Sequence, residues 1–263
     1  MKNLLKSELR KLIYTRSFWG LSLAAVAMVV LSTAPTPYVL SQLQQGGFNP
    51  LSQTEIVDTV YGKALAGYLF VVIQGVLIMA GEFRHGTAVA TFLTAPKRVT
   101  VMLSKIIIAA IAGVAVMILS TAIGFVSAYI ALSFYGDSAA PTSSVFVNTS
   151  IAAVVSGVVL SVIGVAVGTL IRNQMIAVTG TLVYLFVVER LITVFWQDGG
   201  KFLPSALITS MLAINVKLDS KMVGVAVDTS KYLEPWPATA LLVAYGVVFA
   251  GVAIATSLRR DID

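Results

Sequence analysis

Few side chains in this 263-residue sequence have the chemistry of a catalyst or of a metal ligand. There is no cysteine, which excludes disulfides, thiolate nucleophiles and cysteine-ligated metal or iron–sulfur sites. His85 is the single histidine, which excludes a two-histidine zinc protease motif and gives a Ser/His hydrolase little to build on. We therefore expect no catalytic, cofactor-binding or metal-binding residue, and we interpret His85 as an ordinary loop residue.

The sequence also lacks a motif for nucleotide hydrolysis. A phosphate-binding loop reads Gly-x-x-x-x-Gly-Lys-Ser/Thr, because its backbone must cradle the phosphates and its lysine must reach them. The segment Gly199-Gly200-Lys201-Phe202 departs from that pattern at both ends. If the protein depends on ATP and Mg²⁺, we expect them to bind a separate ATPase chain.

One pair of ionisable residues, Glu189 and Arg190, lies within an apolar run. Each would cost roughly 2.5 to 3.5 kcal/mol at the centre of a bilayer, so both need partners or water. One interpretation is a position on a transport pathway or an outer gate. The other is a pair near the outer end of a span that reaches the headgroups, helped by Trp196 and Lys201. Neighbouring residues point about 100° apart on a helix, so the two cannot face one partner.

The elements that carry these residues are predicted to be membrane spans. The sequence is 57% hydrophobic and 11% charged, whereas a soluble domain averages about 25% charged residues. Since so few charges cannot cover so much apolar chain, lipid must be the solvent. Runs of about 20 apolar residues cross a bilayer, and the sequence contains six: 18–40, 64–81, 106–132, 150–171, 175–195 and 238–258. We predict an all-α polytopic membrane protein with one transmembrane domain over residues 1–263.

The basic residues predict the orientation of these spans. The six-span arrangement places twelve of the eighteen Lys and Arg residues on one side, with a net charge of +8 against −2 on the other. Because cytoplasmic loops retain positive charge, we predict that both termini are cytoplasmic in a cell membrane. The excess charge is spread along one membrane face, so we expect no nucleic-acid partner.

The first sixteen residues predict an amphipathic helix. Leucine and isoleucine form one helical stripe, with basic residues largely on the other face. The stripe consists of Leu5, Leu9, Leu12 and Ile13, and the basic residues are Lys6, Arg10 and Lys11. We predict that segment 1–16 lies along the inner membrane surface and leads into the first span. The alternative is that it is only a positively charged anchor.

The inner loop between the second and third spans, residues 82–105, has a mixed composition. Gly86 permits a sharp change of direction, Thr87 can cap a short helix over residues 88–94, and Pro96 would end that helix. The pattern predicts a short rigid helix parallel to the membrane, suited to receive a mechanical push from a soluble partner. The alternative is a solvated loop that carries only orientation charges.

Two further patterns concern the outer side and the fourth span. In the outer segment, residues 196–237, an apolar stretch broken by Pro204 is followed by a polar run and a second apolar piece. Both pieces are too short to span, so we predict short helices at the outer leaflet. The fourth span carries small residues at helical spacing, which favours close packing within the chain, although contact between subunits stays open. These residues are Ala153, Gly157, Ser161, Gly164 and Gly168.

The loop and the span layout together resemble one known family. The order Glu82, Arg84, Gly86, Thr87, Pro96, Arg98, Lys105 between spans two and three is similar to the cytoplasmic loop of type-2 ATP-binding-cassette exporter permeases. The six spans, the lead-in helix and the long outer segment resemble the same family. In it the lead-in helix and this loop contact an ATPase subunit, and two six-span units form one path. The resemblance therefore implies a coupling interface at Glu82, Phe83, Arg84, His85, Gly86, Thr87, Pro96, Arg98, Lys6 and Arg10.

The function implied by the resemblance is that of a permease subunit in an ATP-driven exporter. Its partners would be a soluble ATPase, a second permease subunit and the lipid bilayer. The apolar spans favour a hydrophobic or amphipathic substrate, such as a peptide antibiotic, a drug or a lipid. One alternative is an ion-coupled secondary transporter, which would need several intramembrane acids where only Glu189 is found. Another is a membrane scaffold or sensor subunit that transports nothing.

Overall fold

The computed structural model describes residues 2–45, 52–87, 98–135, 140–214, 217–218, 227–228 and 232–259. An amino-terminal helix, α1 (Lys2–Tyr14), precedes six helical segments that are long and apolar enough to cross a membrane. In order, these spans are Arg16–Gln45, Gln53–Arg84, Arg98–Ser133, Ser143–Leu170, Gln174–Phe195 and Pro235–Thr256. The prediction of an all-α polytopic membrane protein with six spans is confirmed.

Proline interrupts the first span. One helix ends at Thr33 and a second, Thr36–Gln45, begins three residues later, so that Pro35 lies between them. Pro37 occupies the second position of the new helix, where its missing N–H removes no helical hydrogen bond. The first span therefore continues beyond the predicted 18–40 as two consecutive helices.

The second span is longer than predicted because a further helix precedes it. Helix Gln53–Gly62 is followed by a 3₁₀ turn, Lys63–Leu65, and by helix Tyr68–Arg84. Ser52 and Glu55 form a reciprocal capping box that begins helix Gln53–Gly62. Asp58 of this helix accepts hydrogen bonds from the backbone N–H (3.0 Å) and hydroxyl (2.8 Å) of Thr142. The start of the second span is thereby attached to the start of the fourth.

The fourth span is the centre of the bundle, and its small residues explain why. It packs most extensively against the second and third spans. Added Cβ atoms would collide with backbone of the third span at Gly157 and of the second span at Gly164 and Gly168. The small-residue face of the fourth span is therefore a packing surface within this chain, as the favoured interpretation had it.

The fifth span and the outer segment are irregular. The fifth span consists of helix Gln174–Val183, a π-helical turn at Tyr184–Val188 and helix Glu189–Phe195. Two short helices follow, Gln197–Gly200 and Pro204–Met211. Pro204 starts the second of these helices, where a missing N–H costs nothing.

The remainder of the outer segment differs in part from the prediction of helices. Residues Lys217–Leu218 pair antiparallel with Val227–Asp228 as two short strands. The last helix, Pro235–Arg259, then forms the sixth span. Its residues Ala253 and Ile254 pack with Met102 and Phe83, so this helix ends at the same end of the bundle as α1.

Candidate functional site

A cluster of buried charges joins three elements at one end of the bundle. Lys105 lies in the third span, seven residues after its start at Arg98, and its side chain is fully buried. Its ammonium donates to the carboxylates of Glu8 in α1 (2.8 Å) and Glu82 at the end of the second span (2.6 Å). A buried ammonium between two carboxylates is the arrangement that a low-dielectric site requires, because an unpaired charge there is very costly.

Lys11 completes the cluster from the more exposed side of α1. Its ammonium donates to Glu8 (2.9 Å) and to Glu82 (3.0 Å), so each carboxylate lies between two cations. Two acids and two bases make the cluster neutral. It attaches α1 to the second and third spans by charge-assisted hydrogen bonds, which are stronger than neutral ones. We call Glu8, Lys11, Glu82 and Lys105 the charge cluster.

The sequence interpretation placed three of these residues differently. Lys105 was counted as the last residue of an exposed inner loop, but the third span begins at Arg98 and encloses it. Lys11 was assigned to the solvated face of α1, but it faces the second span. Glu8 was given no role. The available signal was its position among Leu5, Leu9 and Leu12, because an acid on an apolar stripe needs a buried partner.

The pKa values of the two α1 residues follow from this geometry. Burial by itself would raise the pKa of Glu8, but the ammonium groups of Lys105 and Lys11 outweigh it and hold the pKa below its ordinary 4.5. Burial would likewise lower the pKa of Lys11, but hydrogen bonds and charge from Glu8 and Glu82 raise it above 10.5. Both residues are therefore ionised throughout the physiological range.

These shifts predict how the docking of α1 depends on pH. The ionised Glu8 stabilises the docking of α1 fully above about pH 4.5, and this stabilisation is lost as the pH falls through the lowered pKa of Glu8. The charged Lys11 stabilises the docking of α1 fully below pH 10.5, and this stabilisation is lost as the pH rises through the raised pKa of Lys11. We expect a fluorophore on a Leu9→Cys variant to show constant anisotropy between these limits and lower anisotropy below pH 4.5.

The same label can be placed on the first span at Leu23→Cys, an exposed position that is not part of α1. We expect no acid transition there, and we expect a Glu8→Gln background to weaken the transition at Leu9. A change in anisotropy near pH 7 at Leu9, or an equal acid transition at both labels, would contradict a docking mode based on Glu8.

The residues directly after Glu82 turn outward. Phe83 is half-buried, whereas Arg84, His85, Gly86 and Thr87 are exposed. The second-span helix ends at Arg84, and Gly86 has a φ of +65°, a left-handed conformation that glycine adopts without strain. The Nδ1–H of His85 donates to the carbonyl of Gly81 at 2.7 Å. We call residues 83–87 the exposed turn.

The exposed turn is close to the short connection between the fourth and fifth spans. Arg84 donates to the side chain of Gln174 at 3.5 Å, and the guanidinium of Arg172 lies 5.7 Å from the ring centre of Phe83. These contacts bring together the arginines that the sequence assigned to one membrane face. We call the end of the bundle that carries Arg84, Arg98 and Arg172 the basic end.

The other residues predicted for the coupling interface are distributed around this turn. Lys6 and Arg10 are exposed on α1, and Arg98 is half-buried at the start of the third span. Pro96 and the helix predicted over 88–94 lie outside the described residues. Glu82 is buried and belongs to the charge cluster, so it fixes the position of the exposed turn that follows it and is not itself part of an exposed surface. The assignment of these residues to ATPase contact stays a prediction.

The side chains of Glu189 and Arg190 point in different directions, as expected for neighbouring residues on a helix. The side chain of Glu189 is 2% exposed, whereas Arg190 is exposed. Ser205 and Tyr184 lie beside the Glu189 carboxylate, although neither meets the full geometry of a hydrogen bond to it. The interpretation in which both residues reach the headgroups therefore does not describe Glu189, which faces the protein interior beside helix Pro204–Met211. The π-helical turn directly before it shifts the helical register, a feature frequent at functional sites.

Comparison with known proteins identifies the class. The chain belongs to the ABC-2 family of transporter proteins, since the model for "ABC-2 family transporter protein" matches residues 4–188. Members are membrane permease subunits of ABC transporters that do not hydrolyse ATP themselves, and the family implies a partner ATPase subunit. No curated protein matches the sequence. The matched residues include the charge cluster and the exposed turn and end just before Glu189.

Proposed function

We propose that this chain is the permease subunit of an ATP-driven exporter and that the basic end receives the ATPase. The observation that carries the proposal is the attachment of the exposed turn to the charge cluster. Glu82 is adjacent to the turn and binds Lys105 of the third span and Lys11 of α1. A force on the turn would therefore act on the second span, the third span and α1 together.

In this mechanism, ATP and Mg²⁺ bind the partner ATPase, and closure of the ATPase dimer moves the exposed turn as a rigid body. The close packing of the second and third spans on the fourth would carry that motion through the bundle. Rigid transmission needs an interface that does not yield, and backbone contact at glycines supplies one, since no flexible side chain lies between the helices.

The orientation proposed for the chain places the basic end in the cytoplasm. Both α1 and the end of the sixth span lie at this end, beside Arg84 and Arg172. The positive-inside rule then makes both termini cytoplasmic in a cell membrane. The ATPase would reach Lys6 and Arg10 of α1 as well as the exposed turn, because all of them project from the same end.

We further propose that two such permease subunits, identical or similar, form one transport path. The first, fifth and sixth spans bury few of their side chains inside this chain. Their apolar faces are available to lipid or to a second subunit. Glu189, which faces the interior of this chain, and Arg190, which is exposed, are the residues that we assign to the pathway or an outer gate. A hydrophobic or amphipathic cargo such as a peptide antibiotic, a drug or a lipid suits this apolar surface.

Charge reversal on the exposed turn tests the ATPase interface. We expect Arg84→Glu to reduce co-purification of the partner ATPase at least tenfold, and to reduce stimulated ATP turnover in proportion. The physical reason is that an exposed arginine at an interface is replaced by a charge that repels an acidic partner surface. The measurement is the ATPase-to-permease ratio after affinity purification in nanodiscs.

The matched control is Lys201→Glu, which makes the same change in charge near the opposite end, where Lys201 lies beside Phe202. We expect this variant to retain the ATPase. If wild-type permease retains no ATPase, or if the two variants behave alike, the proposed coupling surface is wrong. An ion-coupled transporter would instead show gradient-driven transport without any ATPase.

A further inference from the structure

A cleft of about 890 Å³ lies at the basic end, between the first, second and fifth spans. Its volume is within the range of roughly 300 to 1,000 Å³ typical of ligand sites. Arg84 and Arg172 both line it, and neither is enclosed, since Arg84 is exposed and Arg172 is half-buried. The cleft is therefore open to a molecule that approaches the arginines from outside the chain. We call it the arginine cleft.

The charge of the arginine cleft has one sign. Two arginines and no acid are found among the described residues that line it, which gives a net charge of +2. The nearest acid along the chain, Glu82, is buried in the charge cluster, where Lys11 and Lys105 bind it. Arg84 donates to the neutral amide of Gln174 at 3.5 Å, beyond the usual range of about 2.7 to 3.2 Å. The cleft therefore attracts an anion.

The guanidinium groups, rather than a helix end, are the donors that this anion would meet. The fifth-span helix begins at Gln174, but the N–H groups of Met175 and Ile176 already donate to the side chain of Asn173. A guanidinium presents a planar fork of N–H donors, which matches the oxygens of a phosphate two at a time. A phosphate group therefore suits two arginines that approach from different spans.

Beyond the arginines, the wall of the cleft is apolar. Its residues include Leu21 of the first span, Ile73 and Leu77 of the second and Val178 of the fifth. Ile73 lies eleven residues before Arg84, the last residue of its helix, which corresponds to about 16 Å along the axis. That depth is close to half of a hydrocarbon core of roughly 30 Å, the share of one leaflet. The arginines therefore lie at the depth of headgroups and the apolar wall at the depth of acyl chains.

We propose that the arginine cleft binds an anionic phospholipid of the surrounding leaflet, with its phosphate on Arg84 and Arg172 and one acyl chain along Leu77 and Ile73. Charge complementarity selects an anionic headgroup over a zwitterionic one, by about fivefold in affinity for each arginine near the membrane surface. A soluble phosphate compound would leave the apolar wall uncovered. The proposal does not depend on the exporter function, because it needs only the described cleft and a bilayer.

The binding test uses the permease alone in detergent micelles, with the bound lipids counted by native mass spectrometry. Phosphatidylglycerol and phosphatidylcholine with the same two acyl chains differ in the net charge of the headgroup. We expect the first phosphatidylglycerol to bind at least tenfold tighter than the first phosphatidylcholine. Equal affinities of the two lipids would overturn the proposal.

Replacement of Arg172 tests which charge binds the lipid, and it avoids Arg84, which is also assigned to the ATPase interface. We expect Arg172→Gln to weaken the first phosphatidylglycerol about fivefold and to leave phosphatidylcholine unchanged. The matched control is Arg16→Gln, which removes the same charge from an exposed position at the start of the first span, outside the cleft. If both variants weaken the lipid equally, it responds to the general charge of the basic end and the proposal fails.

Filling the cleft tests its shape without a change in charge. Gly20 lines the cleft, and nothing lies within 4 Å of a Cβ at this position, so Gly20→Leu projects into open space. We expect this variant to remove the preference for phosphatidylglycerol. Gly251→Leu, at a helical glycine of the sixth span that also faces open space, should keep the preference. Full affinity in Gly20→Leu would place the lipid elsewhere and overturn the proposal.

Two further measurements separate the lipid from other occupants of the cleft. Glycerophosphoglycerol, the headgroup of phosphatidylglycerol without acyl chains, should not displace the bound lipid at equal concentration. Displacement would identify a site for soluble phosphate compounds and overturn the lipid assignment. The spectra also give the mass of the permease, and a dimer without the lipid preference would show that a second copy covers the cleft, which would likewise overturn it. No measurement uses ATP or an ATPase, so this proposal and the proposed exporter function can fail independently.

Discussion

Replacement of Lys105 by methionine is expected to destabilise the protein by about 3 to 5 kcal/mol, because it removes the buried cation and leaves two buried carboxylates with only the partly exposed Lys11 as a partner. Lys105 is fully buried and binds both Glu8 and Glu82, so Lys105→Met removes two charge-assisted hydrogen bonds at once. The measurement is the unfolding midpoint of the permease in nanodiscs. We also expect α1 to detach, which a fluorophore at Leu9→Cys would report as lower anisotropy.

The matched control is Lys6→Met, which removes the same charge from an exposed position of α1. We expect its unfolding midpoint to match that of the wild type within experimental error. A triple variant, Glu8→Gln with Glu82→Gln and Lys105→Met, should recover most of the lost stability, since it removes the stranded charges together with their partner. If Lys105→Met and Lys6→Met are equally stable, the charge cluster does not hold these elements together.

The second large effect is expected from a single methyl group at the centre of the bundle. A Cβ at Gly164 would collide with the Val72 carbonyl and lie 2.9 Å from the Cα of Gly75, both of them backbone atoms. No side chain can move aside, so Gly164→Ala must push the second and fourth spans apart. We expect Gly164→Ala to lower the free energy of unfolding by about 1 to 3 kcal/mol, the usual cost of overpacking. We also expect a reduced yield of folded protein.

Glycines that face open space provide the control for helix propensity. Gly81 and Gly180 are helical, and nothing lies within 4 Å of a Cβ at either position. Alanine there should leave stability unchanged or raise it by up to about 1 kcal/mol, since alanine is the better helix former. If Gly164→Ala is as stable as Gly81→Ala, the close approach of the second and fourth spans is incorrect.

The small-residue packing face and the charge cluster differ in how far each can be predicted from the sequence. The small residues of the fourth span are recognisable from their spacing, and close packing follows from their size alone. Their partners are not recognisable, because Gly75 and Gly113 lie in long apolar runs without the regular spacing of small residues that the fourth span has. Only the fold shows that these glycines face Ser161 and Gly157 of the fourth span across backbone contacts.

The sequence singled out Glu82 and Lys105 of the charge cluster but did not predict that they are paired. Glu82 and Lys105 were assigned to an inner loop because hydropathy ends a span at its first charge, whereas a helix continues as long as its charges find partners. The same rule missed helix Gln53–Gly62, although Ser52 and Glu55 carry its capping signal. For Glu189 and Arg190, helical geometry predicted their divergence, but not which of the two is buried.

The sequence by itself determined that this protein crosses a membrane six times, which end is basic, and which residues of the turn after the second span resemble a coupling surface. Those properties depend on composition and on local order along the chain. The tertiary structure alone decided that Glu8, Glu82 and Lys105 are buried together and that Lys11 joins them in one cluster. The physical reason is that Glu8 and Lys105 are 97 residues apart, and their attraction matters only once folding has removed water from between them.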